Sequence, residues 1–267
     1  MTINNLTSGS LSGLRILDLT RVWAGPLATR IYGDYGADVI KISDPRVPLV
    51  TENGLNSKLN RNKRNIGLRL DKSEGRQIFL ELTSISDLVI ENFRPRVMRN
   101  LDLTYETLLE VNPHIIMCSM PGFGLEGPYA EYPAFGTTAE ALAGIPGLIG
   151  YDDSLPISSG IAYGDPVSGL NAVGILLTAL RQRNITGSGQ FIDIALAASP
   201  ACNLGEFFGA TSSNGYQPVI NGNKSIDYCP QGAYRVKGDD VWVAISVTDE
   251  ISWKALVKIV DDPDLES

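Results

Sequence analysis

The sequence predicts an α/β fold: a Rossmann-like, doubly wound parallel sheet followed by a second, smaller α+β domain. Short β-rich runs end in polar or turn residues, and stretches with helical spacing of apolar residues lie between them. Alternating strands and helices require crossover connections, which join parallel strands. The amino-acid composition then changes near 205–225, where Gly, Asn and Ser are frequent ahead of a predicted hairpin.

These observations divide the chain into three segments. Residues 1–12 are predicted to be a polar leader, and residues 13–210 a large α/β domain. Residues 211–267 are predicted to begin a small domain with a hairpin and a helix. We expect this small domain to be truncated, because the chain stops soon after that helix.

The large domain opens with alternating strands and helices. The predicted strands are 14–19, 38–42, 87–92 and 114–120. Between the first two, Leu27, Ile31 and Tyr35 recur every four residues, which is typical of a helix face. Residues 73–86 carry a similar apolar face and predict the next helix.

A longer helix is predicted at 166–183. Leu170, Val173, Leu177 and Leu180 recur at spacings of three and four residues. Further apolar residues occupy the other faces of this helix. We therefore expect it to be deeply buried.

Composition excludes several classes of function. The chain of 267 residues has a formal net charge of −8, whereas a general nucleic-acid binder needs a basic face. It shows neither a signal peptide nor an apolar run near the roughly 20 residues of a membrane span. Cys118, Cys202 and Cys229 are widely spaced and odd in number, which indicates free thiols and no metal cluster. A cytoplasmic location follows as the expectation.

The sequence matches two familiar functional patterns only poorly, the dinucleotide fingerprint and the Ser-His-Asp triad. “GFGLEG” at 122–127 matches a dinucleotide fingerprint, but Pro128 and Pro133 follow where a helix should begin, so a Gly-rich loop is favoured. The single histidine, His114, stands at the predicted start of a strand, away from the edge where open sheets bind ligands. We interpret it as structural, which disfavours a Ser-His-Asp hydrolase.

Two basic groups stand out in this acidic chain, at 60–65 and 91–100. Their cationic residues are Arg61, Lys63, Arg64, Arg94, Arg96 and Arg99. They are either ordinary solvated loop residues or contacts for a phosphate-bearing ligand at the carboxyl edge of the sheet.

The stretch “YGDPVSGL” at 163–170 allows two interpretations of Asp165. Asp followed by Pro166 and an apolar run is the pattern of a helix N-cap with Pro at N1. A carboxylate at a helix start also stays ionised and can form a covalent acyl intermediate. From the residues alone both interpretations stay open.

Five segments carry a resemblance to a known family. In chain order they are “LSGLRILDLTRVWAGPLATRIYGDYGADVIKI”, “NRNKRNIGLRLDKSEG”, “DLVIENFRPRVM”, “GFGLEGPYAEYPAFG” and “GDPVSGLNAVGILLTAL”. They resemble the class III CoA-transferases, the formyl-CoA transferase-like family, and the resemblance extends over nearly the whole chain from about residue 11.

The resemblance implies an enzyme that moves CoA from an acyl-CoA to a free carboxylic acid. Asp165 matches the family nucleophile, which passes through a mixed anhydride and an aspartyl-CoA thioester. The implied cofactor is coenzyme A, as an acyl-CoA substrate, with no metal. The implied partners are that acyl-CoA and the carboxylic acid, with no nucleic acid and no membrane.

The resemblance also implies a CoA-binding set. By similarity, coenzyme A lies along Arg21, Val22, Trp23, Ala24, Leu68, Asn92, Phe93, Arg94 and Val97, with Phe135 near the substrate end or the adenine. The loop around Pro230, Gln231 and Gly232 matches a mobile Gly-rich loop that covers the intermediate.

Two departures from the family keep alternatives open. Related α-methylacyl-CoA racemases use a His base where this chain has Phe135 and Gly136, so a racemase would lack one of its bases. Family members also continue past this C-terminus with a segment that closes a ring, and two rings interlock. A homodimer is therefore expected for a full-length protein, and an inactive CoA-binding fragment is the other alternative.

Overall fold

The computed structural model describes residues 9–47, 54–151 and 155–265. Most of the predicted leader, residues 1–8, lies outside the described residues. Within them the chain falls into two compact units. One comprises residues 1–143 and 160–205, and the other comprises residues 144–159 and 206–267. Our division of the chain at 210/211 stays a prediction.

A six-stranded parallel sheet forms the centre of the first unit, in the order β3-β2-β1-β4-β5-β6. Its strands are β1 Arg15–Asp18, β2 Asp38–Ser43, β3 Lys63–Gly67, β4 Leu88–Glu91, β5 Ile116–Ser119 and β6 Phe191–Asp193. All of its strand pairs are parallel. The predicted Rossmann-like fold is confirmed.

Helices connect the strands and continue beyond them. Their bounds are α1 Ala24–Asp34, α2 Gly54–Asn60, α3 Ser73–Ser84, α4 Pro95–Asn100, α5 Tyr105–Val111, α6 Gly136–Ala143, α7 Gly164–Thr186, α8 Ala198–Ala201, α9 Gly205–Asn214 and α10 Glu250–Val260. No described helix combines the length and the apolar character needed to cross a membrane.

Alternating strand residues feed two hydrophobic clusters, because successive side chains point to opposite faces of a sheet. Ile16, Val39 and Ile90 join a first cluster with residues of α1 and α7. Their neighbours Leu17, Ile40 and Val89 join a second cluster with residues of α3, α4 and α5. Coverage on both faces explains why these strands are nearly continuous apolar runs.

The strand order places a topological switch point between β1 and β4. The chain runs outward through β1, β2 and β3 and then returns to the other side of β1 with β4. The segments that follow β1 and β4 therefore lie side by side at the carboxyl edge, where open α/β sheets bind ligands.

The expectation that the long helix is buried on all sides is wrong. Leu170 and Leu177 of α7 are 56% and 41% exposed. Its buried residues are Leu176, Leu180 and small or polar residues that include Gly169 and Ala172. Large apolar side chains thus lie on both the buried and the exposed sides of α7, and apolar spacing alone could not indicate which side is covered.

The second unit contains a separate antiparallel ribbon. β7 Gln231–Arg235 pairs with β8 Trp242–Ser246, as the predicted hairpin requires. α10 follows, and Asp249 caps it by accepting a hydrogen bond from the main-chain N–H of Ser252 at 2.7 Å. The hairpin and last helix are thus found where the sequence predicts them.

Candidate active site

Asp165 lies in the first turn of α7, but it is not the helix N-cap. Tyr163 occupies that position, and Asp165 is the second residue of the helix. Its carboxylate accepts hydrogen bonds from two other segments: Oδ1 from the main-chain N–H of Ala24 at 3.3 Å, and Oδ2 from that of Gly136 at 3.0 Å. The cap interpretation is therefore wrong, because the hydrogen bonds that the carboxylate accepts come from α1 and α6 and it does not cap α7.

Three helix starts converge on this carboxylate. Ala24 is the first residue of α1, Gly136 is the first residue of α6, and Asp165 itself belongs to the first turn of α7. The partial positive charge of helix N-termini favours an ionised carboxylate. Burial raises the pKa of Asp165, and the hydrogen bonds from Ala24 and Gly136 oppose that rise. The result is a buried, poorly solvated carboxylate with a directed hydrogen bond to each oxygen.

Glycines permit this close approach. A Cβ at Gly136 would lie 2.3 Å from Asp165 Oδ2, and a Cβ at Gly169 would lie 2.6 Å from the carbonyl oxygen of Ala24. Any other residue at either position would separate the helices that surround the carboxylate. The glycines of “AFG” and “VSG” therefore have a packing reason to be there.

The segments after β1 and β4 are tied together at the switch point. The main-chain N–H of Arg21 donates to Asn92 Oδ1 at 2.7 Å, and Asn92 Nδ2 donates to the carbonyl of Arg21 at 2.8 Å. The Arg21 guanidinium stacks over the Phe93 ring at 5.4 Å, a cation–π contact. Three residues of the predicted CoA-binding set are thus brought together.

The rest of that set is spread around this point. Trp23 directly precedes α1, and exposed Phe135 directly precedes Gly136. Arg94 and Val97 lie at the start of α4. One predicted residue departs from the others: the side chain of Leu68 is buried in the second hydrophobic cluster. Contact of these residues with coenzyme A stays a prediction.

Val22 adopts an unusual backbone conformation in this region. Its φ is 67°, in the left-handed region that β-branched residues rarely enter. Its side chain is 64% exposed, so packing on the side chain does not explain the conformation. The loop after β1 is therefore strained next to Ala24, whose N–H contacts Asp165.

The two basic groups differ in their ionic partners. The first group is neutralised: Arg61 pairs with Asp34, Lys63 with Asp18 and Arg64 with Asp38. In the second group, Arg96 and Arg99 both lie near Glu131. Within the described part of the chain, Arg94 and Arg21 have no carboxylate partner, which leaves these two cations available to an anionic ligand.

Sequence reasoning missed a buried ionic cluster beneath the loop after β1. Asp18 is fully buried at the end of β1 and pairs with Lys63 Nζ at 2.9 Å and Lys41 Nζ at 3.4 Å. Burial opposes its ionisation, but the charges of Lys41 and Lys63 and hydrogen bonds from Thr20 and Lys63 hold the pKa of Asp18 well below its usual range. The available signal was an acidic residue ending an otherwise apolar strand.

A cavity of about 550 Å³ adjoins this cluster, beyond the carboxyl ends of β1 and β2 and beside the first residues of β3. Arg21, Val22, Lys41, Lys63 and Arg64 are among its lining residues. Three of these five carry their positive charge on long side chains that begin on strands of the sheet. Lys41, Lys63 and Arg64 are paired with Asp18 or Asp38, and Asp44 also lines the cavity. Among the described lining residues, Arg21 is therefore the cation that is left for an anionic ligand.

Glu91 is a second buried carboxylate near the switch point. It ends β4, and its Oε2 accepts a hydrogen bond from the main-chain N–H of Phe93 at 2.7 Å. Burial raises the pKa of Glu91 to about 7, and the charge of Asp193 adds to the rise, while hydrogen bonds from Ser119 and Phe93 oppose it. Glu91 thus anchors the turn that carries Asn92 and Phe93.

Other sequence predictions concern the remaining polar residues. Nδ1 of His114 is hydrogen-bonded to the carbonyl of Gly187, and His114 precedes β5 at the edge of the sheet opposite to the site. The segment 122–127 forms turns without opening a helix, as expected of a Gly-rich loop. Among the described residues, no group of three or more His, Cys, Asp or Glu side chains could hold a metal ion.

The fold and the site together define a Rossmann-like α/β protein that holds a buried carboxylate between the starts of three helices. Residues 11–267 match the family model described as CoA-transferase family III. The chain belongs to this family.

Curated relatives agree with that assignment. The chain is 35% identical to a succinyl-CoA:mesaconate CoA-transferase of Haloarcula marismortui, over 96% of this chain and 69% of the relative. It is 32% identical to the succinyl-CoA:glutarate CoA-transferase of Homo sapiens, over 96% of this chain and 60% of the relative. The chain thus spans only part of the length of these relatives.

A solved structure supports the fold. The crystal structure of a CAIB/BAIF family protein from Brucella suis superposes with a TM-score of 0.88 at 30% sequence identity. The match covers 98% of this chain and 74% of that protein. The fold is therefore one that a solved structure also has.

Proposed function

We propose that this chain is an acyl-CoA:carboxylate CoA-transferase in which Asp165 is the covalent carrier. The observation that carries the proposal is the buried carboxylate with one main-chain N–H on each oxygen. Family membership supports the reaction class, since the relatives are named as CoA-transferases.

The reaction proceeds through four exchanges at carbonyl carbons. An oxygen of Asp165 attacks the acyl-CoA thioester and expels CoA thiolate, which leaves a mixed anhydride. The thiolate attacks the Asp165 carbonyl, expels the donor acid as its carboxylate and forms an aspartyl-CoA thioester. The acceptor carboxylate then displaces the thiolate, and the thiolate attacks the acceptor carbonyl, which releases the new acyl-CoA and restores Asp165. No water is consumed, so the thioester energy is conserved.

The two hydrogen bonds suggest different roles for the two oxygens of Asp165. Oδ1 has the longer bond, to Ala24 at 3.3 Å, and Oδ2 the shorter, to Gly136 at 3.0 Å. We assign Oδ1 as the attacking atom because its electron pairs are less engaged. The N–H of Gly136 then stabilises negative charge on Oδ2 each time the aspartyl carbonyl becomes tetrahedral.

Coenzyme A is proposed to bind at the switch point. Arg21 and Arg94 supply cations without a carboxylate partner in the described part of the chain, and Phe93 and Asn92 fix the position of Arg21. The cavity next to this loop has Arg21 in its lining and gives room for the charged end of the molecule. The thioester end would then reach Asp165 past Ala24.

Chemical trapping with hydroxylamine tests whether Asp165 is the nucleophile. Incubation with acyl-CoA and hydroxylamine should convert Asp165 into a hydroxamate, located by peptide mass spectrometry. Asp165→Asn should fold and yield no label. Asp193→Asn is the matched control, because Asp193 also ends a strand at this edge and accepts a main-chain N–H, from Leu125 at 2.9 Å. A hydroxamate on another residue, or none on active wild-type protein, would contradict the proposal.

The substrates are proposed by class. The relatives named above transfer CoA from succinyl-CoA to dicarboxylates. We therefore start with succinyl-CoA as donor and a panel of short mono- and dicarboxylates as acceptors, read by chromatography of the acyl-CoA products. A racemase is disfavoured, because Phe135 and Gly136 stand in the segment where the racemase base is expected and neither side chain can accept a proton.

We also propose that the protein is a cytoplasmic homodimer. The free thiols Cys118, Cys202 and Cys229 support a reducing compartment. Exposed Leu142 and Leu170, on α6 and α7, support coverage by a second copy.

Sedimentation equilibrium tests the dimer. We expect a dimer for the wild type and dissociation for Leu170→Arg, because the substitution puts a charge into an apolar contact. The Ile78→Arg variant should stay dimeric, because it changes an exposed residue of α3, away from α6 and α7 in the sequence. A monomeric wild type would contradict the proposal.

A further inference from the structure

The ionic cluster of Asp18, Lys41 and Lys63 takes part in no step described so far. It lies under the loop of residues 20–26, which joins β1 to α1 and ends in the first turn of that helix. The side chains of Asp18 and Lys63 are 0% and 1% exposed, so neither can serve a ligand directly. They instead hydrogen-bond each other and the loop, where Asp18 binds Thr20 and Lys63 binds the carbonyl of Pro26.

We propose that Asp18 and Lys63 are positioning residues that hold the main-chain N–H of Ala24 against the Asp165 carboxylate. This inference rests on the proposed function, since it concerns the same nucleophile. It assigns a role in the reaction to two buried charges that would otherwise count only toward stability.

The cluster forms hydrogen bonds with both ends of the loop. At the first end, Asp18 Oδ1 accepts hydrogen bonds from the N–H of Thr20 at 2.9 Å and from its hydroxyl at 2.5 Å, and Lys41 Nζ donates to the carbonyl of Thr20. At the other end, Lys63 Nζ donates to the carbonyl of Pro26 at 3.0 Å and to Asp18 Oδ2 at 2.9 Å. Ala24 lies between these two fixed points.

The loop needs this restraint because its conformation is strained. Val22 has a φ of 67° and an exposed side chain, so its own preferences favour a different backbone. Strained residues persist when the surrounding structure fixes the chain on both sides. Asn92 adds a third attachment at Arg21. Release of one attachment should let the loop relax and carry Ala24 with it.

The Ala24 contact is the one that such a movement would break first. Its N–H lies 3.3 Å from Asp165 Oδ1, near the limit of a hydrogen bond, whereas the Gly136 contact is 3.0 Å and comes from a segment outside the loop. A small displacement of α1 would therefore remove one of the two hydrogen bonds and leave the other. The cluster thus controls one oxygen of the nucleophile selectively.

Thr29 offers a mild way to loosen the same attachment. Its hydroxyl donates to Asp18 Oδ2 at 2.8 Å from the second turn of α1. Thr29→Val keeps the shape and removes this bond, and Thr29→Ser keeps the hydroxyl as the conservative rescue. Lys63→Met is the stronger variant. Arg183→Met is the matched control, because it removes another partly buried ion pair, to Asp87 at 2.9 Å, far along α7 from Asp165.

The decisive measurement is the pH titration of the Asp165 carboxyl carbon, followed by ¹³C NMR in Asp-labelled protein without substrate. The Asp165 signal is identified as the one that is missing from the Asp165→Asn variant. A hydrogen bond to the charged form favours ionisation, so its loss raises the pKa. We expect the midpoint to move upward in Lys63→Met and Thr29→Val, and to stay in place in Thr29→Ser and Arg183→Met. The single-turnover rate of Asp165 acylation should fall roughly tenfold in the first two variants, because the attacking oxygen Oδ1 is then no longer oriented by the N–H of Ala24, and this loss outweighs the gain in basicity.

A purely structural role predicts a different result. The midpoint would then stay at the wild-type position in folded Lys63→Met and Thr29→Val, and any loss of rate would follow the unfolded fraction seen by circular dichroism. That outcome would overturn the inference. If Lys63→Met does not fold, Thr29→Val against Thr29→Ser decides. Because the titration needs no turnover, an inactive wild type would refute the proposed function while the midpoint still tests the inference.

Discussion

At the scale of single residues, Glu91 links the pH of the solution to the stability of the switch point. Its pKa of about 7 lies above the ordinary 4.5 of a glutamate. A raised carboxyl pKa means that the folded state resists ionisation. The stabilising contribution is therefore complete below pH 4.5 and is lost as the pH rises through about 7.

We therefore expect Glu91→Gln to gain stability relative to wild type as the pH rises. The difference in free energy of unfolding should change by up to about 3 kcal/mol between pH 4.5 and 7, from urea titrations at a series of pH values. Gln can still accept the Phe93 hydrogen bond. The control Glu81→Gln changes an exposed residue of α3, and its free energy of unfolding should depend on pH in the same way as that of wild type. A constant difference for Glu91→Gln would show that this carboxyl does not couple to folding.

Residue-level prediction from the sequence singled out Asp165, whose role stays a prediction, and failed in describing its setting. The pattern Asp-Pro-x-Ser-Gly is compatible with a cap, and only the structure shows that the side chain turns toward Ala24 and Gly136 instead. Main-chain N–H groups belong to every residue type except proline, so no sequence pattern marks them as ligands. The same limit applies to Asp18, whose cationic partners come from other strands.

At the scale of elements, the site depends on how closely α6 and α7 approach. Gly136 begins α6, and a Cβ there would also lie 2.5 Å from the carbonyl oxygen of Ala162, just before α7. Both neighbours are polar atoms of a packed region that cannot move independently. The spacing between these helices is therefore set by the absence of one methyl group.

We expect Gly136→Ala to fold with the start of α6 displaced from Asp165. Loss of one donor to the developing oxyanion should lower the transfer rate by about 100-fold or more. The overpacking should cost about 1–3 kcal/mol of unfolding free energy, measured in urea.

Gly174→Ala on α7 is the matched control for this substitution. A Cβ at Gly174 meets no atom within 4 Å, so activity should persist. The free energy of unfolding should rise by roughly 0.5–1 kcal/mol, because Ala is the better helix former. Equal effects of the two substitutions would show that the α6 contact does not matter.

Element types were predictable because apolar period and turn chemistry are local. β1, β2, β4, β5 and α10 are found where the sequence indicates them, whereas β3 was not predicted because its first residues were interpreted only as a basic group. The burial of α7 was not predictable, since small residues such as Gly169 and Ala172 are buried while Leu170 and Leu177 are exposed. Which face of a helix is covered depends on the neighbours, and their identity is a property of the tertiary structure.

At the scale of the whole molecule, the two compact units differ in their cores. The first unit contains both hydrophobic clusters. In the described part of the second unit, the buried hydrophobic side chains are Ile145, Val247 and Val257. A two-stranded ribbon with so small a core is marginally stable.

We therefore expect native-state hydrogen exchange to separate the two units. Amides of β7 and β8 should exchange through local opening at low free energy, and amides of β1, β4 and β5 only through global unfolding. Mass spectrometry of peptides from 231–246 and 15–18 gives the comparison. Equal protection of the two sets would contradict the assignment of stability to the first unit.

The convergence of helix starts on Asp165 has a consequence for the order in which the molecule is assembled. The contact with Ala24 spans 141 residues of chain, and the contact with Gly136 spans 29. Secondary structure can form before such distant segments meet, whereas the paired amides exist only after they do. During refolding, the reactivity of the Asp165 carboxylate should consequently recover later than the helical signal. That reactivity would report the last stage of assembly.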